Sequence, residues 1–333
     1  MIEVIAPGPY ATVQDLGRPG YAHLGVPRSG AADEPSLRLA NRLVGNPENA
    51  AGIELTFGGA RLRLTAGAWV AVTGAPCPLD VVRAREAVSG GTAPAAPGGA
   101  SVGGESADGI SPGGAFPGGA SGGASPGGVI RRVTVSQGMC APFWVPAGGE
   151  LCLGTPGTGL RTYVAVRGGV DVPVTMGSRS ADSLSGLGPP PLRAGTVLPV
   201  GPTGDLPPIT VDAAPPPESG AGVLRVLPGP RDDWFVPEAL ATLCAGPYEV
   251  SQDSNRVGVR MRGACLERAR NGELPSEGMV AGAVQVPPSG QPIVFLTDHP
   301  PTGGYPVIAV LTSASLAGAA QLRPGDRIRF HRA

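Results

Sequence analysis

Short runs in which apolar residues alternate with polar ones, or follow one another directly, recur along this chain. Each is closed by a Gly- or Pro-bearing turn: GIELTFGG at 52–59, RLRLTAG at 61–67, WVAVTG at 69–74, RTYVAVRGG at 161–169, QPIVFLTD at 291–298, YPVIAVLT at 305–312 and DRIRFHR at 326–332. Alternation over a handful of residues marks a half-buried strand, and turn residues between such runs suit antiparallel neighbours. The pattern predicts a mainly β protein. Helices are few: DEPSLRLANRLVGNP at 33–47 has Asp33 as N-cap, Pro35 in the first turn, Leu37, Ala40 and Val44 on one face, and Gly45 to Pro47 as its stop. A shorter helix is expected after Pro237, through Leu240 and Leu243.

Part of the pattern is written twice. Residues 14–25, QDLGRPGYAHLG, and 252–263, QDSNRVGVRMRG, share Gln14/Gln252, Asp15/Asp253, Arg18/Arg256, Gly20/Gly258 and Gly25/Gly263 without a gap. Each half also opens on PGP (7–9 and 228–230), reaches a proline-led turn (VPRSG at 26–30, LPSEG at 274–278) and ends on a similar phrase (LRAGTVLPV at 192–200, LRPGDRIRF at 322–330). Matches in one order predict two related domains, 1–215 and 222–333, joined at PPPESGAG (215–222). The tract at 90–128 is almost wholly Gly, Ala, Ser and Pro. It holds too little apolar surface to offset its ordering entropy, which predicts a disordered insertion in the first domain.

A length of 333 residues accommodates two domains. Twenty-five Lys and Arg against twenty-six Asp and Glu, with no dense basic block, argue against a nucleic-acid partner. No signal-peptide pattern and no membrane-length apolar run stands in the chain, so a cytoplasmic location with no membrane association is expected. The five cysteines (77, 140, 152, 244, 265) are widely spaced and read as small buried hydrophobes. With only His23, His299 and His331, no metal site is expected.

Candidate chemistry lies in loops. FLTDHPPTGGYP at 295–306 sets Asp298, His299, Thr302 and Tyr305 just beyond an apolar strand, where binding groups are often presented. Arg18, Arg256 and Arg179 (in MGSRSADSLSG) sit among small residues, where a guanidinium could hold a carboxylate, carbamate or phosphate. Glu277 and Gln285, in SEGMVAGAVQVPPSGQP, add the acceptor and amide that recognition of a urea-like group needs. For each residue a plain structural reading stands beside the functional one: a surface ion pair for an arginine, a turn cap for Asp298.

Taken together, TVQDLGRPGYAHLGVPRSGAAD, LANRLVGN, YVAVRGGVDVP, MGSRSAD, LRVLPGPRDDWF, SEGMVAGAVQVPPSGQPIV and TDHPPTGGYPVIAV closely resemble the biotin-dependent carboxyltransferase family, which includes the C-type component of 5-oxoprolinase, subunit 2 of allophanate hydrolase and a region of urea carboxylase. The resemblance implies two tandem cyclophilin-like β-barrel domains. It also implies a second cyclophilin-like partner (of the B type), in the oxoprolinase joined by a TIM-barrel-like third one (of the A type). The implied activity is ATP-dependent opening of 5-oxoproline to glutamate; in the other branch, transfer of carboxylate from carboxybiotin to urea. Absence of a biotin carboxylase region and of a Met-Lys-Met-like biotinyl tail favours the oxoprolinase branch, with biotin a cofactor only in the alternative. On that reading Asp298 acts as general base or orients water, Arg256 and Arg18 hold anionic groups, and Gln285, Thr302 and Tyr305 bond the amide. Many relatives carry lysine directly after GGYP, whereas Val307 stands here. Two other readings are a non-catalytic antagonist of a kinase inhibitor, acting by binding its partner, and a prolyl isomerase or peptide binder by analogy of fold.

Overall fold

The computed structural model describes residues 1–85, 131–217, 222–270, 272 and 274–333. The Gly/Ala/Ser/Pro tract at 90–128, with its predicted disorder, lies outside these residues. Met1–Arg83 and Thr134–Ala333 form one compact unit. The protein is mainly β with three short helices among the described residues.

The first half of the chain carries β1 (Ile2–Ala6), β2 (Tyr10–Gln14), β3 (Gly52–Thr56), β4 (Arg61–Leu64), β5 (Ala68–Gly74), β6 (Leu79–Arg85), β7 (Arg131–Gln137), β8 (Pro142–Val145), β9 (Glu150–Leu153), β10 (Arg161–Val166) and β11 (Val197–Leu198). They form two sheets, ordered β11-β1-β4-β9-β6-β7 and β2-β3-β10-β5-β8. Alternation decides what lies between them. Leu62 and Leu64 of RLRL point inward, while Arg61 and Arg63 both reach Glu150 on neighbouring β9 at 2.7 Å. Inward residues of both sheets, among them Ile2, Leu62, Leu151, Ile53, Val72 and Val164, share one apolar core.

Central β10 is buried along its whole length, because the outer face of its sheet is covered too. Helix α1 (Glu34–Leu43) lies there, packing Leu39, Ala40 and Leu43 against the small Ala71 and Ala165. Its expected cap is in place: Asp33 accepts from the Ser36 backbone N–H at 3.1 Å and from the Ser36 hydroxyl at 2.7 Å.

The second half carries β12 (Val223–Pro228), β13 (Pro247–Val250), β14 (Gly258–Arg262), β15 (Glu277–Gly278), β16 (Ala283–Gln285), β17 (Ile293–Phe295), β18 (Thr302–Gly303), β19 (Val307–Leu311) and β20 (Arg327–Arg332). Seven of them close a barrel, β12-β19-β16-β17-β14-β13-β20, sealed by the parallel pairing of β12 with β20; β15 and β18 pair separately. Its interior holds Leu224, Val226, Val259, Val284, Val294 and Ile308, with Tyr248 and Phe330 edge to face at 5.7 Å. Helix α2 (Ala239–Ala245) is the short one expected after Pro237; one or two helices per half are expected, and the position of α3 (Ser313–Ala320) is not marked in the sequence.

The repeated segment has unequal physical content. Gln14 and Asp15 are buried, whereas Gln252 and Asp253 are exposed. Gly25 has φ +75°, which favours glycine, whereas a Cβ on Gly263 would stand 2.5 Å from the Tyr248 ring. Only the arginines keep a common status: Arg18 is 1 % and Arg256 4 % exposed. The five cysteines are unpaired, and the expectation that all are buried fails at Cys265, which is exposed, and at Cys77, Cys152 and Cys244, which are partly so. Among the described residues no helix is long and apolar enough to cross a membrane.

Candidate functional site

The nine candidate residues occupy three places. The first is a buried charge cluster where the second half meets the outer face of the five-stranded sheet. β3 sends Ile53 and Leu55 into the core, so Glu54 between them must point to the opposite face, where the barrel and its loops cover it. Glu54 meets Arg256 through Oε1 and Nη1, and Arg161 Nε stands 3.4 Å from the same oxygen. Its other oxygen accepts from the Tyr163 hydroxyl at 2.9 Å and the Ala32 N–H at 3.0 Å. On its far side, Arg256 Nε donates to Asp298 Oδ2 at 2.9 Å and Nη2 to the Gly30 carbonyl at 2.6 Å. Asp298, 0 % exposed, accepts further from the Ser29 hydroxyl at 2.7 Å, the Ser183 hydroxyl at 2.6 Å and the Ser183 N–H at 3.0 Å.

Burial alone would raise both carboxyls. Arg256 and Arg161 outweigh it at Glu54, and Arg256 with the two serines outweighs it at Asp298, so both are held below the ordinary carboxylate range. The Arg256 guanidinium loses by burial and gains more from Glu54 and Asp298, which raises it. Asp33 goes the other way: burial raises it despite bonds from Gln321 and Ser36. Gln321 is the second tie between the halves. Its amide N–H groups donate to Asp33 at 2.7 Å and the Arg161 carbonyl at 3.0 Å; its oxygen accepts from the N–H of Leu160 at 2.9 Å and of Arg161 at 2.8 Å.

The second place is the outer face of the barrel under the β15/β18 pair. Gln285 lies opposite Val307 in the β16–β19 register and donates to the Tyr305 carbonyl at 3.0 Å. A Cβ on Gly303 would come within 2.8 Å of the Gln285 amide nitrogen, so a side chain there would displace Gln285. Thr302 is exposed and Tyr305 partly so. His299 is 8 % exposed, with Nδ1 2.8 Å from the Pro300 carbonyl. Val307 packs with Met279 and Phe295 on an apolar floor. Glu277, on β15, is engaged side-on by Arg231, whose Nε is 2.9 and 3.0 Å from its two oxygens.

The third place joins the first copy of the repeat to the 175–183 loop. Asp15 accepts from the hydroxyls of Ser178 and Ser180 at 2.6 and 2.5 Å, from the Gly17 N–H at 2.8 Å and from the Arg179 N–H at 2.6 Å. The Arg179 side chain turns outward to Asp171 at 2.6 Å and is 36 % exposed, a surface ion pair joined to neither of the other groups. Arg18 is sealed, with Nε 3.4 Å from the Thr175 carbonyl and Nη2 on the Ser180 carbonyl.

The fold therefore brings Arg256 to Asp298, and Gln285, Thr302, Tyr305, His299 and Glu277 to one rim. Sequence reasoning missed Glu54, Arg161, Ser29, Ser183 and Gln321. For Glu54 a signal existed: a lone carboxylate between Ile53 and Leu55 in a strand, with an arginine in a second run of the same kind at 161.

Over residues 24–102 and 124–332 the chain matches the family model for the carboxyltransferase domain, subdomains A and B. It is 34 % identical to the C subunit of 5-oxoprolinase from Escherichia coli strain K12, spanning 99 % of this chain and 90 % of that protein. It is 30 % identical to urea amidolyase of Lachancea kluyveri over 98 % of this chain and 17 % of that one. Among solved structures, TTHA0988 superposes with a TM-score of 0.75 at 32 % identity, covering 99 % of this chain and 55 % of that chain. Urea carboxylase of Kluyveromyces lactis superposes at 0.73 and 27 %, covering 99 % of this chain and 27 % of that chain. The chain thus spans about half of TTHA0988 and smaller shares of the urea-processing proteins. By sequence and by fold, it belongs to the carboxyltransferase-domain family, subdomains A and B.

Proposed function

We propose that this chain is the C-type subunit of an ATP-dependent 5-oxoprolinase, which opens 5-oxo-L-proline to L-glutamate together with a cyclophilin-like B-type and a TIM-barrel-like A-type subunit. The observation that carries this reading is the end-to-end match to a freestanding subunit named for that enzyme, where the urea-processing relatives match only over a small part of their length.

The geometry redistributes the roles expected of the residues. Asp298 has no solvent-facing surface, both oxygens are occupied and its carboxyl is held low, so it is a poor proton acceptor for a substrate. With Arg256 and Glu54 it positions the loops around residues 29, 183 and 297. Arg256 already satisfies two carboxylates and has no charge left for a third. At the rim, Thr302 and Tyr305 carry hydroxyls with solvent-facing surface, while Gln285 and His299 are buried beneath them. Arg179 and Glu277 are committed to surface ion pairs with Asp171 and Arg231.

Among the described residues no three His, Cys, Asp or Glu side chains stand together as a metal-holding group. ATP is assigned to the assembled complex. The second reading, carboxyl transfer from carboxybiotin to urea or a similar amide, is favoured by the superposition on urea carboxylase over nearly the whole chain.

The test is turnover of 5-oxoproline with ATP by this chain combined with its partner subunits, beside the same mixture lacking it. Glutamate release that requires this chain supports the proposal. Equal release without it removes the chain from the reaction.

A further inference from the structure

Three arginines are buried where the chain folds on itself. Arg161 and Arg256 are matched by Glu54 and Asp298, two cations against two anions. Arg18, 1 % exposed, makes no ion pair among the described residues, and its Nη1 has no hydrogen-bond partner. Its remaining nitrogens reach only backbone carbonyls, one of them at a long 3.4 Å. Asp15, three residues away, is saturated by two serine hydroxyls and two backbone N–H groups. A buried guanidinium without a counter-charge is costly to a fold, and the cost is recovered when an anion arrives.

A second unsatisfied atom stands in the same neighbourhood. Gln14 is 0 % exposed, and its Oε1 has no partner, while its amide N–H groups are spent on Thr12 and the Ala181 carbonyl. Arg18 is anchored to the adjacent Ser180 carbonyl, so an unused donor and an unused acceptor hang from one dipeptide, Ser180-Ala181. With a single nitrogen free, Arg18 suits one anionic oxygen better than the several oxygens of a phosphate. The acceptor beside it suits an N–H next to that oxygen. Above Arg18, the Thr175 carbonyl sits on a tight turn in which Thr175 and Ser178 exchange backbone bonds of 2.8 and 3.2 Å. Met176 and Gly177 there both have positive φ, and Gly177 is exposed.

We infer that Arg18 and Gln14 form the recognition site for an α-amido carboxylate: Arg18 takes the carboxylate, Gln14 the neighbouring amide N–H, and the Thr175–Ser178 turn lifts to admit them. The identity of this carboxylate as that of 5-oxoproline rests on the function proposed above. Urea, which carries no carboxylate, would have no use for the site.

The experiment measures binding by calorimetry and by the guanidinium NMR signals of the full-length chain. Its ligands are 5-oxo-L-proline, acetate, and 2-pyrrolidinone, the same lactam without the carboxylate. Binding of 5-oxoproline at least about tenfold tighter than pyrrolidinone is expected from a charge-assisted pair, with the Arg18 signals moving on addition of acetate or 5-oxoproline only. Arg18→Gln should bring 5-oxoproline down to the level of pyrrolidinone, Arg18→Lys should restore part of the difference, and the ligand-free Arg18→Gln chain should melt no lower than wild type. A purely structural arginine would instead lower the melting temperature and leave the preference between the two lactams untouched. Should Arg18→Gln fail to fold, that result overturns the inference, unless Arg18 in the wild-type chain answers acetate. Arg18-dependent acetate binding without 5-oxoproline turnover in the assembled enzyme would keep the anion site and remove the proposed function. Turnover with unchanged lactam preference in Arg18→Gln would do the reverse.

Discussion

Glu54, Arg256 and Asp298 show how little a residue's name says about its use. A carboxylate beside an arginine in a glycine-rich loop looks like a catalytic pair, yet here both are sealed and bonded to one another, and Arg256 is tied across the halves to Glu54. Removing one partner strands the rest, and stranded buried charges typically cost ~3–5 kcal/mol. Asp298→Asn and Glu54→Gln are therefore expected to lower thermal stability sharply, a larger effect than any single substitution at exposed Thr302. Their pH dependence has a definite sign. Both carboxyls titrate lower in the fold than in the unfolded chain, so their contribution is complete above the ordinary carboxylate range and is lost as acid protonates them. Wild type should thus lose stability as pH falls below that range, and the two variants should show a shallower acid limb in melts followed by circular dichroism. Asp33, raised by burial, acts oppositely: what it contributes is present below the ordinary carboxylate range and declines as pH rises through its raised value. Asp298 and Arg256 could be found in the sequence because their loops are rich in turn residues. Glu54 left only a partial signal, its place between Ile53 and Leu55, since alternation tells which residues share a face of β3 but not that the second half of the chain will cover it.

At the scale of elements, what the sequence writes locally is what it discloses. The period of two marks β3, β4, β5 and β10, and Asp33, Pro35 and Gly45 bracket α1 within a residue or two of its observed ends. Helix α3 had no such mark. Its sequence, SASLAGAA, has no apolar stripe because nearly every position is small, which is what lets it lie close to the first half and deliver Gln321 to the chain there. Asp33 and Gln321 make a test of this junction. Asp33→Ala removes a cap, worth about 1 kcal/mol, and also frees Gln321. Gln321→Ala leaves the Leu160 and Arg161 N–H groups without an acceptor, at ~1–3 kcal/mol for each buried orphan. Gln321→Ala should therefore destabilise the chain more than Asp33→Ala, and the double variant should cost less than the sum, because the two share a bond. Equal, additive losses in chemical denaturation would contradict the junction described.

For the whole molecule, the repeat in the sequence marks corresponding places in the two halves but conceals their division of labour. The first copy carries an arginine without a counter-charge among the described residues and the second an arginine with two. On the rim of the barrel, Thr302 and Tyr305 keep solvent-facing surface, with Gln285 and His299 buried above an apolar floor. On the function proposed above, the substrate is the lactam rather than urea. The most direct measurement offers both at once: the assembled enzyme with ATP, bicarbonate, a biotin carrier, and equal 13C-labelled 5-oxoproline and urea, followed by NMR. The account predicts glutamate appearing in proportion to the amount of this chain while urea stays unchanged. Carboxylated urea accumulating with no glutamate would contradict it.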